Sequence, residues 1–483
     1  MYTCACLRSP CDEHPLPSFC WLTIAPEENQ SFSRVYNQPW LLLFPTMNES
    51  EPPGPLPPLS RDAHIHHVMQ ALTQIPGVMV SLDSSRMLII FYCLSTLDLL
   101  GVMEHHTTPA QRVSWRNWIW EQYIVGPWGT AFRPGTSMHD STPHLITTYA
   151  ALLSLAALRD DFTRLNRAGV IAFLRACQRS DGSFASTPGS AAEADLRNTY
   201  CTFCICSLVG DKAWRAIDVE RAVEFISRCR TYEGGYGQLP GCEAQGGTTY
   251  LALACLRMAP PPPPPPTPVL SAGAGAHGYP YPHPMQPQYS AHPTQIHIPS
   301  HTSTQPRPRL TPTERARSEH WLVHNQDAAS GGFRGRTGKP PDSCYCFWGG
   351  AALMILGAHT KIDAPALVAF VARCQFAYGG ISKAPGGFPD PYHTYLALAA
   401  AALYTPHLPP QSQAPATSSS PGWQLAPLNP LIAACEETVR WARGPKQLGN
   451  LLLALFPPSL HFSLGAEPPN AITWFCPFLE FLV

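Results

Sequence analysis

Residues 335–348 read Gly-Arg-Thr-Gly-Lys-Pro-Pro-Asp-Ser-Cys-Tyr-Cys-Phe-Trp, and no other stretch of the chain concentrates so much reactive chemistry. Asp342 follows two prolines and precedes an apolar run, which is the position of a helix N-cap. Cys344 then falls in the first helical turn, where the helix dipole favours a thiolate. One repeat later the chain reads Pro389-Asp390-Pro391-Tyr392-His393. Asp390 is again the expected cap, Pro391 suits the first helical position, and His393 lies in the first turn. If the two helices begin side by side, Asp342, Cys344 and His393 converge. One oxygen, one sulfur and one nitrogen donor make a zinc site, and three protein ligands leave the fourth position open for catalysis. The plainer reading is that Asp342 only caps, Cys344 only packs and His393 is a polar helix-start residue. Spacing alone leaves both open. Lys339 and Arg336 precede Asp342 by three and six residues. Two cations beside such a site suit an anionic ligand such as a diphosphate, although a solvated loop would hold them equally well.

The elements that must position these groups repeat. Each unit has an amphipathic helix, a Gly-aromatic turn, a polar loop and a second helix opening with a tyrosine. The turns contain Asp181-Gly182-Ser183-Phe184, Gly234-Gly235-Tyr236, Gly331-Gly332-Phe333 and Gly379-Gly380-Ile381. The tyrosines are Tyr200, Tyr250, Tyr345 and Tyr395, and a weaker earlier copy holds Trp128-Gly129, Phe132 and Tyr149. From Tyr149 onward the tyrosine spacings are 51, 50, 95 and 50 residues. The long interval contains an insert with seven consecutive prolines, Pro260–Pro266, and no charged side chain from Met258 to Gln305. Such a segment cannot bury enough apolar surface to fold and is expected to be a disordered, polyproline-type loop. The second helices are apolar nearly all round, so they should be buried. An inner ring sheathed by outer helices, an all-α toroid, is the expected fold, with an open superhelical stack as the competing arrangement. The expected organisation is an irregular extension over 1–58, the first part of the toroid over 59–258, the insert over 259–312, the second part over 313–405 and an irregular tail over 406–483.

Composition excludes several function classes. The 483 residues carry a formal net charge of -1, and only 13% are charged, so a nucleic-acid-binding surface is not indicated. The 17 cysteines are scattered through helical segments, as expected for reduced core thiols of a cytoplasmic protein rather than a secreted disulfide scaffold. Cys201, Cys204 and Cys206 read as core, and Cys4, Cys6, Cys11 and Cys20 lack zinc-finger spacing. The apolar stretch Leu451–Leu455 is interrupted by Pro457 and Pro458 and falls short of the ~20 residues that span a bilayer.

The repeats and the 335–348 motif resemble the β subunits of the protein prenyltransferases over about residues 60–405. Asp160-Asp161-Phe162-Thr163-Arg164-Leu165-Asn166, running into the Asp181 turn, and Tyr200-Cys201 with Cys204-Ile205-Cys206 are similar to the geranylgeranyltransferase type I branch. The resemblance implies an α-α toroid, one zinc ion and an obligate prenyltransferase α subunit. It further implies geranylgeranyl diphosphate as lipid donor and, as acceptors, small GTPase-type proteins that end in a CaaX sequence, X often Leu. Asp342, Cys344 and His393 match the zinc ligands. Arg336, Lys339 and Tyr345 match the groups that hold the diphosphate, with Thr337 and Gly338 between them. Cys346, Phe347 and Trp348 continue the lipid-binding segment, and Arg197 matches an arginine near the acceptor carboxylate. The family usually reads Glu-x-His-Gly-Gly before the third inner helix. Here it is Glu243-Ala244-Gln245-Gly246-Gly247, and Gln245 can donate a hydrogen bond but carries no charge. Leu88 lies where farnesyl enzymes place a bulky Trp, which leaves room for a longer lipid. Lys383 lies where those enzymes have a magnesium-binding Asp, so magnesium is expected to be dispensable. Tyr392 is closer to the farnesyl pattern, and Gln245 alone favours a non-catalytic scaffolding subunit. No Asp-x-Asp-Asp motif of terpene cyclases occurs.

Overall fold

The structure is a computed structural model that describes residues 56–74, 82, 84–136, 142–189, 192–261, 309–408 and 422–444. Among the described residues six helix pairs follow one another: α1 (Arg61–Thr73) with α2 (Arg86–Leu99), α3 (Pro109–Glu121) with α4 (Leu145–Ala157), and α5 (Arg167–Cys177) with α6 (Leu196–Val209). After the single turn α7 (Asp211–Trp214) come α8 (Val219–Arg228) with α9 (Gly246–Met258), α10 (Pro312–His324) with α11 (Ser343–Ile355), and α12 (Ala364–Arg373) with α13 (Pro391–Tyr404). The second helix of each pair packs against its counterparts on both sides, and α13 returns to α2. The ring is therefore closed. The chain is an all-α toroid, and the open stack is excluded.

Burial explains which helix goes inside. Every residue of α4 is buried, as its uniformly apolar sequence requires. The outer α8 buries only Ala222, Phe225 and Ile226 along one stripe and turns its charged residues outward. The Gly-aromatic turns are the joints between repeats. Gly182 has φ +90°, and a β-carbon on it would come within 2.0 Å of the Arg221 carbonyl on the next outer helix. Only glycine permits that approach. The last joint does the same across the seam, where a β-carbon on Gly379 would lie 2.0 Å from the Ala63 carbonyl of α1. The aromatic that follows the glycines drives into the core, as fully buried Phe184, Tyr236 and Phe333 show.

Two expectations need correction. The repeat tyrosine is the fifth residue of α4, α6, α9 and α13 (Tyr149, Tyr200, Tyr250, Tyr395), but Tyr345 is the third residue of α11. Phe347 occupies the fifth place there and packs at a tilt against Tyr250 with ring centroids 5.3 Å apart. The helix start is marked by an N-cap aspartate in α6, α11 and α13, whereas His144 and Gln245 stand at the caps of α4 and α9. The segment after residue 405 is not uniformly irregular either. Its described part forms a hairpin of β5 (Leu428–Asn429) and β6 (Ala434–Cys435), then α14 (Glu436–Arg443). The helix has Glu436 and Glu437 in its first turn and Arg440 and Arg443 in its last, each favourable to the helix dipole. Two further short hairpins join helix pairs, β1 (Tyr123–Gly126) with β2 (Gly129–Phe132) and β3 (Ile381–Ser382) with β4 (Pro389–Asp390).

Most of the proline-rich insert, residues 262–308, lies outside the described residues, as do Cys4, Cys6, Cys11 and Cys20. The two ends of the insert meet. Arg309 forms a two-pronged ion pair with Glu220, both N–O distances 2.9 Å, and also donates to the Pro260 carbonyl.

Candidate functional site

The N-termini of α11 and α13 lie side by side at one rim of the ring. Asp342 caps α11, accepting from the Cys344 amide at 2.9 Å, and Asp390 caps α13, accepting from the His393 amide at 2.9 Å. The helix starts are tied together through the intervening hairpin, because the Ser343 amide donates to the Lys383 carbonyl at 2.8 Å. A ligand atom each from Asp342, Cys344 and His393 lies within 4.8 Å of the other two. The imidazole is aimed by Asp390: His393 Nδ1 is 2.6 Å from Asp390 Oδ2, while Nε2 faces Asp342 Oδ1 at 3.5 Å. A proton on Nδ1 leaves the Nε2 lone pair pointing into the cluster, the outer-shell arrangement that metal-ligating histidines use.

The donor set fits a divalent cation. Burial pushes the Cys344 thiol well above its ordinary range, and the Asp342 carboxylate pushes it further. The dipole at the start of α11 therefore does not by itself produce a thiolate. Burial also disfavours the Asp342 carboxylate, but the hydrogen bond and charge of His393 outweigh it and hold the group below the usual range. His393 itself rises to about 9, since the Asp342 and Asp390 carboxylates more than offset its burial. Three groups this close, two of them anionic when deprotonated, are held together either by a proton on His393 or by a metal cation.

Around the triad the structure places the other expected residues unevenly. Lys383 Nζ lies 3.9 Å from Asp342 Oδ2, so its charge sits beside the cluster. Arg336 reaches across to the preceding repeat and pairs with Glu243 at 2.9 Å, and Thr337, Gly338 and Lys339 are exposed on the same loop. Gly246 donates its amide to the Gly335 carbonyl at 2.8 Å. Tyr345 packs into this junction so closely that a β-carbon on Gly335 would meet its ring at 2.2 Å. Gln245 is the N-cap residue of α9, makes no side-chain cap bond and is half-buried, and Gly247 is buried. The loop of Arg336 and the start of α9 thus adjoin, as one anion cradle requires. Cys346 and Phe347 are fully buried, and Trp348 donates to the Tyr392 hydroxyl at 3.2 Å. Leu88 is part-exposed near the start of α2.

Arg197 departs from the simple expectation of a waiting cation. It is only 7% exposed; its Nε binds Asp195 at 2.8 Å, and it also pairs with Glu193. Gln238 donates to the same Asp195 carboxylate at 2.6 Å. Residues that motif reading did not assign include Asp390 as the group orienting His393 and Tyr392 between Trp348 and Cys344. The aspartate two residues before Arg197 and the one three residues before His393 were the available signals.

The toroid and the rim triad define a helical-ring protein with a place for one metal ion. The sequence profile described as the prenyltransferase alpha-alpha toroid domain matches residues 59–434, and the chain belongs to that family. It is 29% identical over 374 residues to the geranylgeranyl transferase type-1 subunit beta of Arabidopsis thaliana, covering 74% of this chain and 88% of the relative. It is 30% identical over 357 residues to the subunit of the same description in Dictyostelium discoideum, covering 68% of this chain and 86% of the relative. The protein farnesyltransferase subunit beta of Schizosaccharomyces pombe is 26% identical over 349 residues, covering 69% of this chain and 75% of the relative. A solved structure of Candida albicans protein geranylgeranyltransferase-I complexed with GGPP has the same fold, with TM-score 0.61 and 22% identity over 80% of this chain and 99% of that one. Among the described residues no helix is long and apolar enough to cross a membrane.

Proposed function

We propose that this chain is the catalytic β subunit of a cytoplasmic, zinc-dependent protein geranylgeranyltransferase type I. It would work with a prenyltransferase α subunit and transfer geranylgeranyl from its diphosphate to the cysteine thiol of a C-terminal CaaX sequence, X often Leu. The observation that carries this reading is the Asp342–Cys344–His393 cluster at the rim of a prenyltransferase toroid, Asp342 and Cys344 buried and His393 part-buried, with donor atoms within 4.8 Å of one another. These three residues would hold zinc, which when bound would keep an acceptor thiol deprotonated at neutral pH. Asp390 fixes the tautomer of His393. A sulfur–carbon bond forms at the first carbon of the lipid as its bond to the diphosphate oxygen breaks. Arg336, Lys339 and Tyr345 stabilise the charge that grows on the leaving diphosphate. For Arg336 this requires exchanging Glu243 for the diphosphate, a favourable trade because the ligand carries more charge. Gln245 contributes a neutral hydrogen bond. Arg197, braced by Asp195 and Glu193, is the residue that would meet the acceptor's C-terminal carboxylate. The type I assignment over farnesyl transfer rests on Leu88 and Lys383: the first leaves room for a longer lipid, and the second supplies positive charge beside the triad where farnesyl enzymes use magnesium. Co-expression with a prenyltransferase α subunit, zinc quantification and single-turnover transfer from geranylgeranyl diphosphate test the reading together. A soluble, zinc-loaded heterodimer that transfers neither lipid would overturn it in favour of a scaffolding subunit.

A further inference from the structure

We propose that helix α1 helps to hold the metal site, and that His67 on it is a positioning residue for Asp390 and, through Asp390, for His393. The inference rests on the reading above that Asp342, Cys344 and His393 bind a metal ion. It concerns the short β3–β4 hairpin, which has neighbours on both sides. On one side lies the start of α11. The Ser343 amide donates to the Lys383 carbonyl at 2.8 Å, and the Ser343 hydroxyl donates to the Ser382 carbonyl at 2.8 Å. These bonds fasten the hairpin to the helical turn that carries Cys344 and follows the Asp342 cap. The second strand of the hairpin ends in Asp390, the residue that caps α13 and orients His393. On the other side lies α1, from the first repeat.

α1 meets the hairpin at the two glycines that lead into it. Gly379 and Gly380 have φ +101° and +79°, and a β-carbon on either would collide with α1. At Gly380 the colliding atoms would be the His67 ring at 2.9 Å and the Pro389 β-carbon at 2.6 Å. The imidazole and Pro389, the residue before Asp390, therefore close on the same point of the backbone. One turn earlier in α1, His64 accepts the Gly380 amide at Nδ1, 2.9 Å away. The two histidines play different parts. His64 uses both ring nitrogens in hydrogen bonds. His67 Nε2 is shut off from solvent and has no hydrogen-bond partner, which destabilises the seam rather than strengthening it. Burial lowers the His67 pKa and the nearby Asp390 charge only opposes this, so the ring is neutral at pH 7. What His67 supplies is a flat surface against Gly380 and Pro389. Without it Pro389 and Asp390 are free to shift, and the His393 imidazole loses its aim toward the other two donors.

The test measures the zinc affinity of the heterodimer by competition with a chelator. It also follows cobalt(II) in place of zinc through its thiolate charge-transfer and ligand-field absorption. His67→Ala is expected to weaken zinc binding about tenfold, the lower end of the range for groups that orient metal ligands, and to shift the cobalt bands. His67→Phe keeps a flat ring without the unpaired nitrogen and is expected to restore both. Failure of His67→Phe to do so would overturn the packing role. Adding His67→Ala to Asp390→Asn should weaken zinc by less than about twofold beyond Asp390→Asn alone, because both changes act through one carboxylate. Losses that multiply would overturn the route through Asp390, as would wild-type affinity in His67→Ala. If His67→Ala gives no soluble heterodimer, hydrogen exchange in the wild type decides. Withdrawing zinc should speed exchange of the Gly380 amide and of the α1 backbone, since coupling between two sites is reciprocal; unchanged exchange would overturn the inference. A wild type that binds neither zinc nor cobalt would instead count against the metal reading itself.

Discussion

At the residue scale the triad is a set of groups that oppose one another unless a cation joins them. Cys344 is driven toward the neutral thiol by burial and by Asp342, and on the proposed reading it is the sulfur ligand to the metal. Cys344→Ala is expected to abolish both stoichiometric zinc and transfer while lipid binding persists, as metal analysis and a fluorescent lipid titration would show; full activity would refute the site. Gln245 makes a second prediction. If it occupies the place where the family has His, Gln245→His should preserve activity or raise it modestly. A loss beyond about tenfold, ~1.4 kcal/mol of barrier, would mean that the anion cradle is arranged differently. What could be read at this scale from sequence was local: Asp342 and Asp390 were legible as caps because a cap needs only its own helix. The brace on Arg197 was legible only in part: Asp195 and Glu193 stand two and four residues before it, but the support of Asp195 by Gln238, 43 residues away, has no local signal.

At the element scale the repeat was legible because every unit reuses the same joint. The Gly-aromatic turn pairs a glycine that admits the next repeat's backbone with an aromatic that anchors the core. The β5–β6 hairpin and α14 were not legible as part of the ring. The hairpin is held by tyrosines far away in the chain, 283 residues in the case of Tyr149 and Ile432, and α14 is held through Thr438, Trp441 and Arg443 to Asp98, Asp160 and Ser207; no local pattern encodes such contacts. The misplaced repeat tyrosine has a similar cause: Tyr345 sits at the cradle, and a phenylalanine took its structural slot. The insert offers an element-scale prediction. Arg309 joins Glu220 and Pro260 at the base of the loop, so deleting residues 262–306 should leave soluble heterodimer and transfer rate nearly unchanged. Loss of soluble heterodimer would show that the insert is structural.

At the scale of the whole molecule, ring closure depends on the seam between first and last repeats. His64 of α1 accepts the Gly380 amide at Nδ1, 2.9 Å away, and Nε2 lies 3.0 Å from Gln375 Oε1. Burial lowers its pKa from 6.5 to about 4, against the opposing Gln375 hydrogen bond and with small contributions from His67 and Arg61. The folded ring therefore binds this proton more weakly than the unfolded chain. The contribution of the clasp is full above about pH 6.5, falls as pH drops and is exhausted near pH 4, at a cost on the order of 3 kcal/mol. Thermal melts between pH 7.5 and pH 5 should show a steeper loss for the wild-type heterodimer than for His64→Gln; parallel curves would contradict the clasp. The central claim remains lipid transfer of type I, and it has one direct measurement. The unmodified heterodimer is given equal concentrations of geranylgeranyl and farnesyl diphosphates with a CaaL peptide, with and without magnesium. The account predicts predominantly geranylgeranylated product at a rate indifferent to magnesium. Predominantly farnesylated product that requires magnesium would contradict it.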